Sequence, residues 1–218
     1  MVAVSRETLL HLLPAGVDPG QLLAYHDLLA GDGVEQGLIG PREAARLWDR
    51  HLANSAWVVL PAPGLVPIAA SVADVGSGAG LPGLVWAIVR PDLQVTLIES
   101  LLRRAVFLEN AVEMLGLQDR VVVLRDRAEN LAGNHSWDVV TARAVAPLDR
   151  LLGWTVPLLR PDGVLLALKG DSAEREIAGA AAVVRRLGVG SPQILTCGVP
   201  EVPATRVVVV HRAPGQQG

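Results

Sequence analysis

The stretch Val72-Ala73-Asp74-Val75-Gly76-Ser77-Gly78-Ala79-Gly80-Leu81-Pro82-Gly83 decides how the rest of the chain is read. An apolar run from Val66 to Val75 predicts a buried strand, and Leu84 to Val89 predicts a helix. Pro82 suits a first helical turn, where its missing N–H costs nothing. Strand, glycine turn and helix together predict a nucleotide-cofactor site.

Two ligands compete for that turn. Gly78-x-Gly80-x-x-Gly83 fits a dinucleotide, whose pyrophosphate would sit against the turn. Asp74-x-Gly76-x-Gly78-x-Gly80 fits S-adenosylmethionine, which has no phosphate and carries an α-ammonium and a sulfonium. A carboxylate at the strand end repels the first and attracts the second. Leu93 to Ile98 reads as the next strand and ends in Glu99. An acid about 20 residues past the turn takes adenosine ribose hydroxyls, which both ligands share.

Composition sets outer bounds. The 218 residues suffice for one sizeable domain with an extension, and half of them are hydrophobic. Cys197 is the single cysteine, so internal disulfides and cysteine-rich metal sites are excluded. It lies in an apolar segment and reads as a packed core residue. Pro and Gly interrupt every apolar run before it reaches membrane-spanning length, and the N-terminus carries no secretory pattern, so a cytoplasmic protein is expected. The net charge of −3 gives no global attraction to nucleic acid, so such contacts must come from local patches. Lys169 is the only lysine among 19 basic residues.

Residues 1–60 carry helical patterns only and predict an N-terminal helical extension, with residues 61–218 as the cofactor domain. Short helices are expected over Thr8–Leu13 and from Asp18-Pro19 to about Gly31. Pro41 opens a third, on which Arg42, Arg46 and Arg50 recur every four residues and share a face. That face is either a phosphate-contacting edge or a solvated one balanced by Glu43 and Asp49. His51 reads as structural. Pro61, Pro63, Gly64 and Pro67 mark a linker. Beyond it, helices are expected over Leu101–Leu115, Pro147–Leu159 and Ala173–Leu187. Strands are expected over Arg120–Leu124, Trp137–Thr141, Val164–Leu168, Gln193–Cys197 and Thr205–His211. Alternation of this kind predicts an α/β, Rossmann-like sheet with both faces covered, and the last two strands predict an antiparallel hairpin at one edge. That is the seven-stranded layout of class I S-adenosylmethionine methyltransferases. Residues 213–218 are expected to fray.

Ligands of such sheets sit at the carboxyl ends of the strands. After the third strand, backbone groups of Ala128 and Glu129 are placed to read adenine, and Glu129 could also cap the helix that follows. Arg143, after the fourth, faces the cleft and could grip the methionine carboxylate or the substrate. Lys169-Gly170 follows the fifth. The Thr141-Ala142-Arg143-Ala144 segment lacks the Pro-Pro-aromatic signature of adenine amino methylation and the cysteine needed for cytosine C5. One lysine cannot build a two-lysine ribose methylation tetrad, and no carboxylate cluster suggests a metal. A nucleophile that needs no deprotonation remains, such as guanine N7, for which alignment suffices and a general base is unnecessary.

Several motifs together resemble the RsmG (GidB) family of bacterial 16S rRNA guanine-N7 methyltransferases. They are Arg50-His51-Leu52-Ala53-Asn54-Ser55, Asp74 to Gly83, Arg127-Ala128-Glu129, Ala142-Arg143-Ala144, Ala167-Leu168-Lys169-Gly170 and Thr205-Arg206-Val207-Val208. The resemblance implies S-adenosylmethionine contacts at Gly76, Leu81, Ala128, Glu129 and Arg143, and RNA or guanine contacts by Arg127, Lys169 and Arg206. The family often has Asp at the positions of Asn54 and Glu99, and both replacements keep a polar group. The expected partner is the small ribosomal subunit, met by a monomer with no membrane attachment. Rival readings are a small-molecule methyltransferase, a non-catalytic RNA-binding module on the same fold, and an NAD-dependent oxidoreductase, which Asp74 argues against.

Overall fold

The structure, a computed structural model, describes residues 2–60, 64–199 and 204–213. The linker prolines Pro61 and Pro63 lie outside them, as do residues 214–218 of the tail 213–218 that is expected to fray. Helices α1 (Val2–His11) and α2 (Pro19–Ala30) come first, followed by the single turns α3 (Asp32–Glu35) and α4 (Pro41–Ala44). Asp18 caps α2 by accepting the Gly20 N–H at 2.8 Å, as Asp-Pro at a helix start should. Leu47–Ala53 then winds as a π-helix into α5 (Asn54–Ala56).

From there strand and helix alternate: β1 (Ser71–Val75), α6 (Gly83–Val89), β2 (Gln94–Ile98), α7 (Leu102–Met114), β3 (Val121–Leu124), α8 (Ala128–Leu131), β4 (Trp137–Arg143), α9 (Leu148–Thr155), β5 (Leu159–Lys169), α10 (Ala173–Leu187), β6 (Gln193–Cys197) and β7 (Thr205–His211). The seven strands order as β3-β2-β1-β4-β5-β7-β6. Pairs from β3 to β5 are parallel, whereas β7 runs antiparallel to both β5 and β6. The late strands thus form the expected edge hairpin, with β7 inside and β6 at the edge.

Both sheet faces are covered, which is why the strands are almost continuously apolar. Alternate residues part to opposite sides: Val207 and Val209 join one core, Val208 and Val210 the other. The first core takes α6 and α7 together with Leu9, Leu22, Tyr25 and Leu29 of the N-terminal helices. The second takes α8, α9 and α10. The indole N–H of Trp86 donates to Ser55 O at 2.8 Å in the core, and Gln21 Nε2 to Leu115 O at 2.8 Å in a half-buried contact, so polar contacts also bind the helical segment to the sheet. Cys197 is buried, as its apolar context predicts.

Four local expectations need correction. The strand before the glycine turn begins at Ser71, not Val66: Pro67 lacks a ladder donor, Ala69 has φ 55°, and Ile68 is 87% exposed. The third N-terminal helix is broken, because Arg46 leaves helical geometry at φ −120°, ψ 15°. Arg42, Arg46 and Arg50 therefore do not lie on one regular α-helical face, and Asp49 is buried instead of balancing them. The helix after β4 ends in a 3₁₀ turn at Val156–Leu158, and β5 starts at Leu159. The Pro161-Asp162-Gly163 turn sits inside that strand, where the register slips between Trp137↔Leu159 and Val139↔Val164 and Asp162 takes φ 62°. Pro82 precedes α6 rather than lying within it, and Gly83 is the first helical residue.

Gly83 is where strand and helix meet most closely. A Cβ there would lie 2.5 Å from Leu97 Cδ2 and 2.7 Å from Asp74 Oδ2. Gly83→Ala should lower the unfolding free energy by about 1–3 kcal/mol, since the packed neighbours must shift. Gly153→Ala, at an exposed α9 position with nothing within 4 Å of the added carbon, should be neutral or stabilising. Urea titrations of the two variants check this, and indistinguishable midpoints would contradict the packing argument.

Candidate active site

The glycine turn is tied down before it is shaped for a ligand. Gly76 N–H and Ser77 N–H both donate to Ile98 O, at 2.8 and 3.1 Å, so the turn hangs from the end of β2. Gly76 takes φ 69°, and a Cβ on it would lie 2.8 Å from Val145 Cγ2, so only glycine fits between the turn and the segment after β4. Tyr25, fully buried on α2, donates its hydroxyl to Ala79 O at 2.8 Å. Burial, and then the Asp74 carboxylate, push that phenol well above its ordinary pKa.

Asp74 lies beneath the turn. It is fully buried, and its Oδ2 accepts the Gly83 N–H at 3.0 Å while Oδ1 has no protein partner. Burial raises its pKa to about 7, against the opposing pull of the Gly83 hydrogen bond, while the Ser77 hydroxyl donates to the main-chain O of Asp74 at 2.8 Å. Glu99, 4% exposed, accepts the Leu101 N–H at 2.9 Å on Oε1 and the Gly78 N–H at 3.1 Å on Oε2. Each oxygen keeps a lone pair for a further donor.

Two cavities border the turn, and a third adjoins one of them. The first, of 220 Å³, is lined by Gly76, Glu99, Arg127, Ala128, Glu129 and the apolar faces of Ile98, Val145 and Trp154. The second, of 280 Å³, is lined by Gly76, Gly78, Leu81, His51, Arg104 and Arg143, with Leu38 and Ile39 supplied by the N-terminal segment. The third, of 630 Å³, is lined by Glu43, Arg50, Asn54, Arg143, Lys169 and Arg206. Gly76 is common to the first two, and Arg143 and Ala144 to the second and third. Ala144 holds φ 55°, a costly conformation for a residue with a Cβ, where the second and third cavities adjoin.

The sequence-derived residues divide accordingly. Gly76, Gly78, Leu81, Glu99, Ala128, Glu129 and Arg143 line the two smaller cavities, whereas Asp74 and Gly80 line none of the three. Glu129 is the second residue of α8, whose N-cap position is held by Arg127. Arg143 is largely buried, which lowers its pKa, and its Nη1 has no protein partner. Lys169 is 9% exposed and committed: Nζ donates to Ala146 O at 2.6 Å and pairs with Glu176 Oε2 at 2.7 Å. Arg206, opposite Lys169 in the β5–β7 register, pairs with Glu174. Of the arginine triplet only Arg50 lines the large cleft, 3.4 Å from Glu43. Arg42, Arg46 and Arg127 are exposed.

Sequence reasoning missed Tyr25 and Glu43 as parts of the site and read His51 as structural. His51 Nε2 lies 3.1 Å from Glu43 Oε2 and Nδ1 lies 2.5 Å from Arg143 Nη2. Burial, and next Arg143, lower the His51 pKa to about 4, so the imidazole is neutral at physiological pH. The only local signal was the adjacency of His51 to Arg50.

Comparison with known proteins bears on this geometry. The family model described as rRNA small subunit methyltransferase G matches residues 19–202. The ribosomal RNA small subunit methyltransferase G of Nocardioides sp. is 56% identical over 194 residues, 88% of this chain and 76% of that protein. Its namesake from Salinispora arenicola is 55% identical over 197 residues, 87% of this chain and 80% of that protein. Among solved structures, the mitomycin 7-O-methyltransferase MmcR aligns with a TM-score of 0.62 at 19% identity, covering 96% of this chain and 67% of that one. The Bacillus subtilis tRNA methyltransferase TrmK aligns at 0.56 and 14%, covering 76% and 67%. The structures show a shared methyltransferase fold, and the sequences go further: this chain belongs to the rRNA small subunit methyltransferase G family.

Proposed function

We propose that the protein transfers a methyl group from S-adenosylmethionine to N7 of a guanine in 16S rRNA of the small ribosomal subunit. The observation that carries this is the placement of Arg143 between the second small cavity, at the glycine turn, and the large cleft beyond, in a chain whose relatives are named for small-subunit rRNA methylation. The residues fit the cofactor. Glu99, with a free lone pair on each oxygen, would take the ribose hydroxyls, and Ala128 and Glu129 would border the adenine between Ile98, Val145 and Trp154. Gly76, Gly78 and Leu81 would border the methionine end, whose carboxylate would meet the unpartnered Nη1 of Arg143. Asp74 and Gly80 would act from behind, Asp74 by its buried charge and Gly80 by shaping the turn. When bound, S-adenosylmethionine supplies a methyl group on a positively charged sulfur.

Guanine N7 offers an in-plane lone pair and no proton, so the chain needs to align it and need not deprotonate it. Methylation leaves positive charge on the base, so a bare cation against N7 would oppose the reaction. The Lys169–Glu176 pair presents a largely compensated charge to the cleft, which suits a residue that holds O6 or a phosphate. Arg127, Arg206, Arg42, Arg46 and Arg50 would contact RNA phosphates and give a chain of net charge −3 its local attraction. The enzyme would act as a cytoplasmic monomer, and among the described residues no helix is long and apolar enough to cross a membrane.

Calorimetry should find S-adenosylmethionine and S-adenosylhomocysteine binding and none for NAD, and the reverse would overturn the cofactor. Arg143→Ala should weaken S-adenosylmethionine binding about tenfold or more, the worth of a charged hydrogen bond, and slow methyl transfer. Lys169→Ala should spare cofactor affinity and impair transfer to small-subunit particles. Neither should remove a limb of the pH–rate profile, and loss of the basic limb in Lys169→Ala would mean that a proton is abstracted. Replacing Arg42, Arg46 and Arg50 together by Ala should weaken RNA binding and flatten its dependence on salt by about one unit of slope for each phosphate no longer neutralised. An unchanged slope would leave those arginines as a solvated surface. Nucleoside mass spectrometry of rRNA from cells with and without the gene identifies the modified base.

A further inference from the structure

Glu43, His51 and Arg143 form a chain of contacts whose chemistry allows only one arrangement of protons. A neutral imidazole has one N–H and one bare nitrogen. Arg143 can only donate, and it reaches Nδ1 with Nη2 at 2.5 Å. An ionised Glu43 can only accept, and its Oε2 lies 3.1 Å from Nε2. Both neighbours therefore demand the same tautomer, with the proton on Nε2 and Nδ1 bare. The other tautomer would set N–H against guanidinium N–H and a lone pair against the carboxylate, forfeiting both bonds. A protonated ring would face Arg143 with a second cation, and the depressed pKa of His51 agrees with its exclusion. His51 belongs to the π-helix and Arg143 to the end of β4, so the contact also ties the N-terminal segment to the centre of the site.

We propose that Glu43 and His51 are positioning residues: Glu43 locks the His51 tautomer, and His51 in turn fixes the guanidinium of Arg143 through Nη2, leaving Nη1 free for a ligand. The buried Nη1 has no protein partner, so what the lock controls is which edge of Arg143 remains available. The inference rests on Arg143 as the ligand of the methionine carboxylate. It assigns its two residues no contact with the cofactor, and Glu43, which lines only the large cleft, acts at two removes.

Two substitutions separate the two halves of the ring. In His51→Asn the amide oxygen falls near the place of Nδ1 and keeps an acceptor for Arg143. In His51→Gln the amide nitrogen falls near the place of Nε2, keeping the donor to Glu43 and removing the acceptor. Calorimetric titration with S-adenosylhomocysteine should show binding weakened about tenfold or more in H51Q and within about threefold of the parent in H51N. E43A, in which Arg143 alone is left to select the tautomer and Nε2 has lost its anchor, should weaken binding, and E43Q, which still offers an oxygen to Nε2, should restore it. Nitrogen-15 NMR of histidine-labelled protein should give His51 a bare Nδ1 and a protonated Nε2, and in E43A a mixture of tautomers; the resonances are assigned by their disappearance in H51N. Equal weakening in H51Q and H51N, or a protonated Nδ1 in the parent, would overturn the lock. Unweakened binding in Arg143→Ala would instead overturn the reading of the cofactor site, and with it the effect assigned to the lock. Weakened binding in Arg143→Ala with no difference between the two His51 variants would overturn the lock alone.

Discussion

The amide hydrogen of Gly83 ends on the carboxylate of Asp74, in a space too small for one more carbon. Much of the site is arranged by that contact. It fastens the first turn of α6 to the last residues of β1, and the intervening glycines must then fold back over a buried acid. The carboxylate carries the cost, since burial raises its pKa to about 7 although the Gly83 hydrogen bond favours its ionised form. Tyr25 seals the other side through Ala79 O, so an N-terminal helix helps to hold a turn that sequence alone assigns to the sheet domain. The geometry of both smaller cavities follows from this turn, because Gly76 lines each of them.

A second constraint comes from the direction of one strand. Parallel strands present only their carboxyl ends to a ligand site. Because β7 runs the other way, its first residues arrive at that same rim, and Arg206 comes to lie beside Lys169. Thr205 then donates its hydroxyl to Asn54 O at 2.8 Å, joining the hairpin to the segment that bears Arg50 and His51. The large cleft is thus walled by four parts of the chain remote in sequence, with the strained Ala144 near their meeting point.

Much of this was legible in the sequence, for physical reasons that differ by residue. Alternating glycines after a valine-rich strand, and Glu99 at the next strand end, are local signals, and the structure puts Gly76, Gly78 and Glu99 around adjoining cavities. Arg143 and Lys169 were accessible because strand ends in this topology face one side. The failures are equally specific. Pro161-Asp162-Gly163 is a genuine turn signal, but it interrupts a strand rather than ending a helix, and only pairing with β4 distinguishes the two. The arginine periodicity presumed an unbroken α-helix, which Arg46 and the π-helix remove. The importance of His51 depends on Arg143, 92 residues away, and no local pattern reports such a contact. The carboxylate at the end of β1 is legible as an acid beside the turn, but not its burial or the use of one of its oxygens to hold Gly83.

The order β5-β7-β6 has a consequence for how the chain is made. Synthesis produces β6 before β7, yet β6 touches the sheet only through β7. Until the later strand is inserted, β6 has no partner, and β5 presents a long apolar edge of unpaired N–H and C=O groups. The nascent sheet can be built outward from β1 toward β5 as residues emerge, but β6 can join only with β7 or after it. During that interval the growing protein is most exposed to mispairing with other chains, and a chaperone that shields the β5 edge would act at that stage.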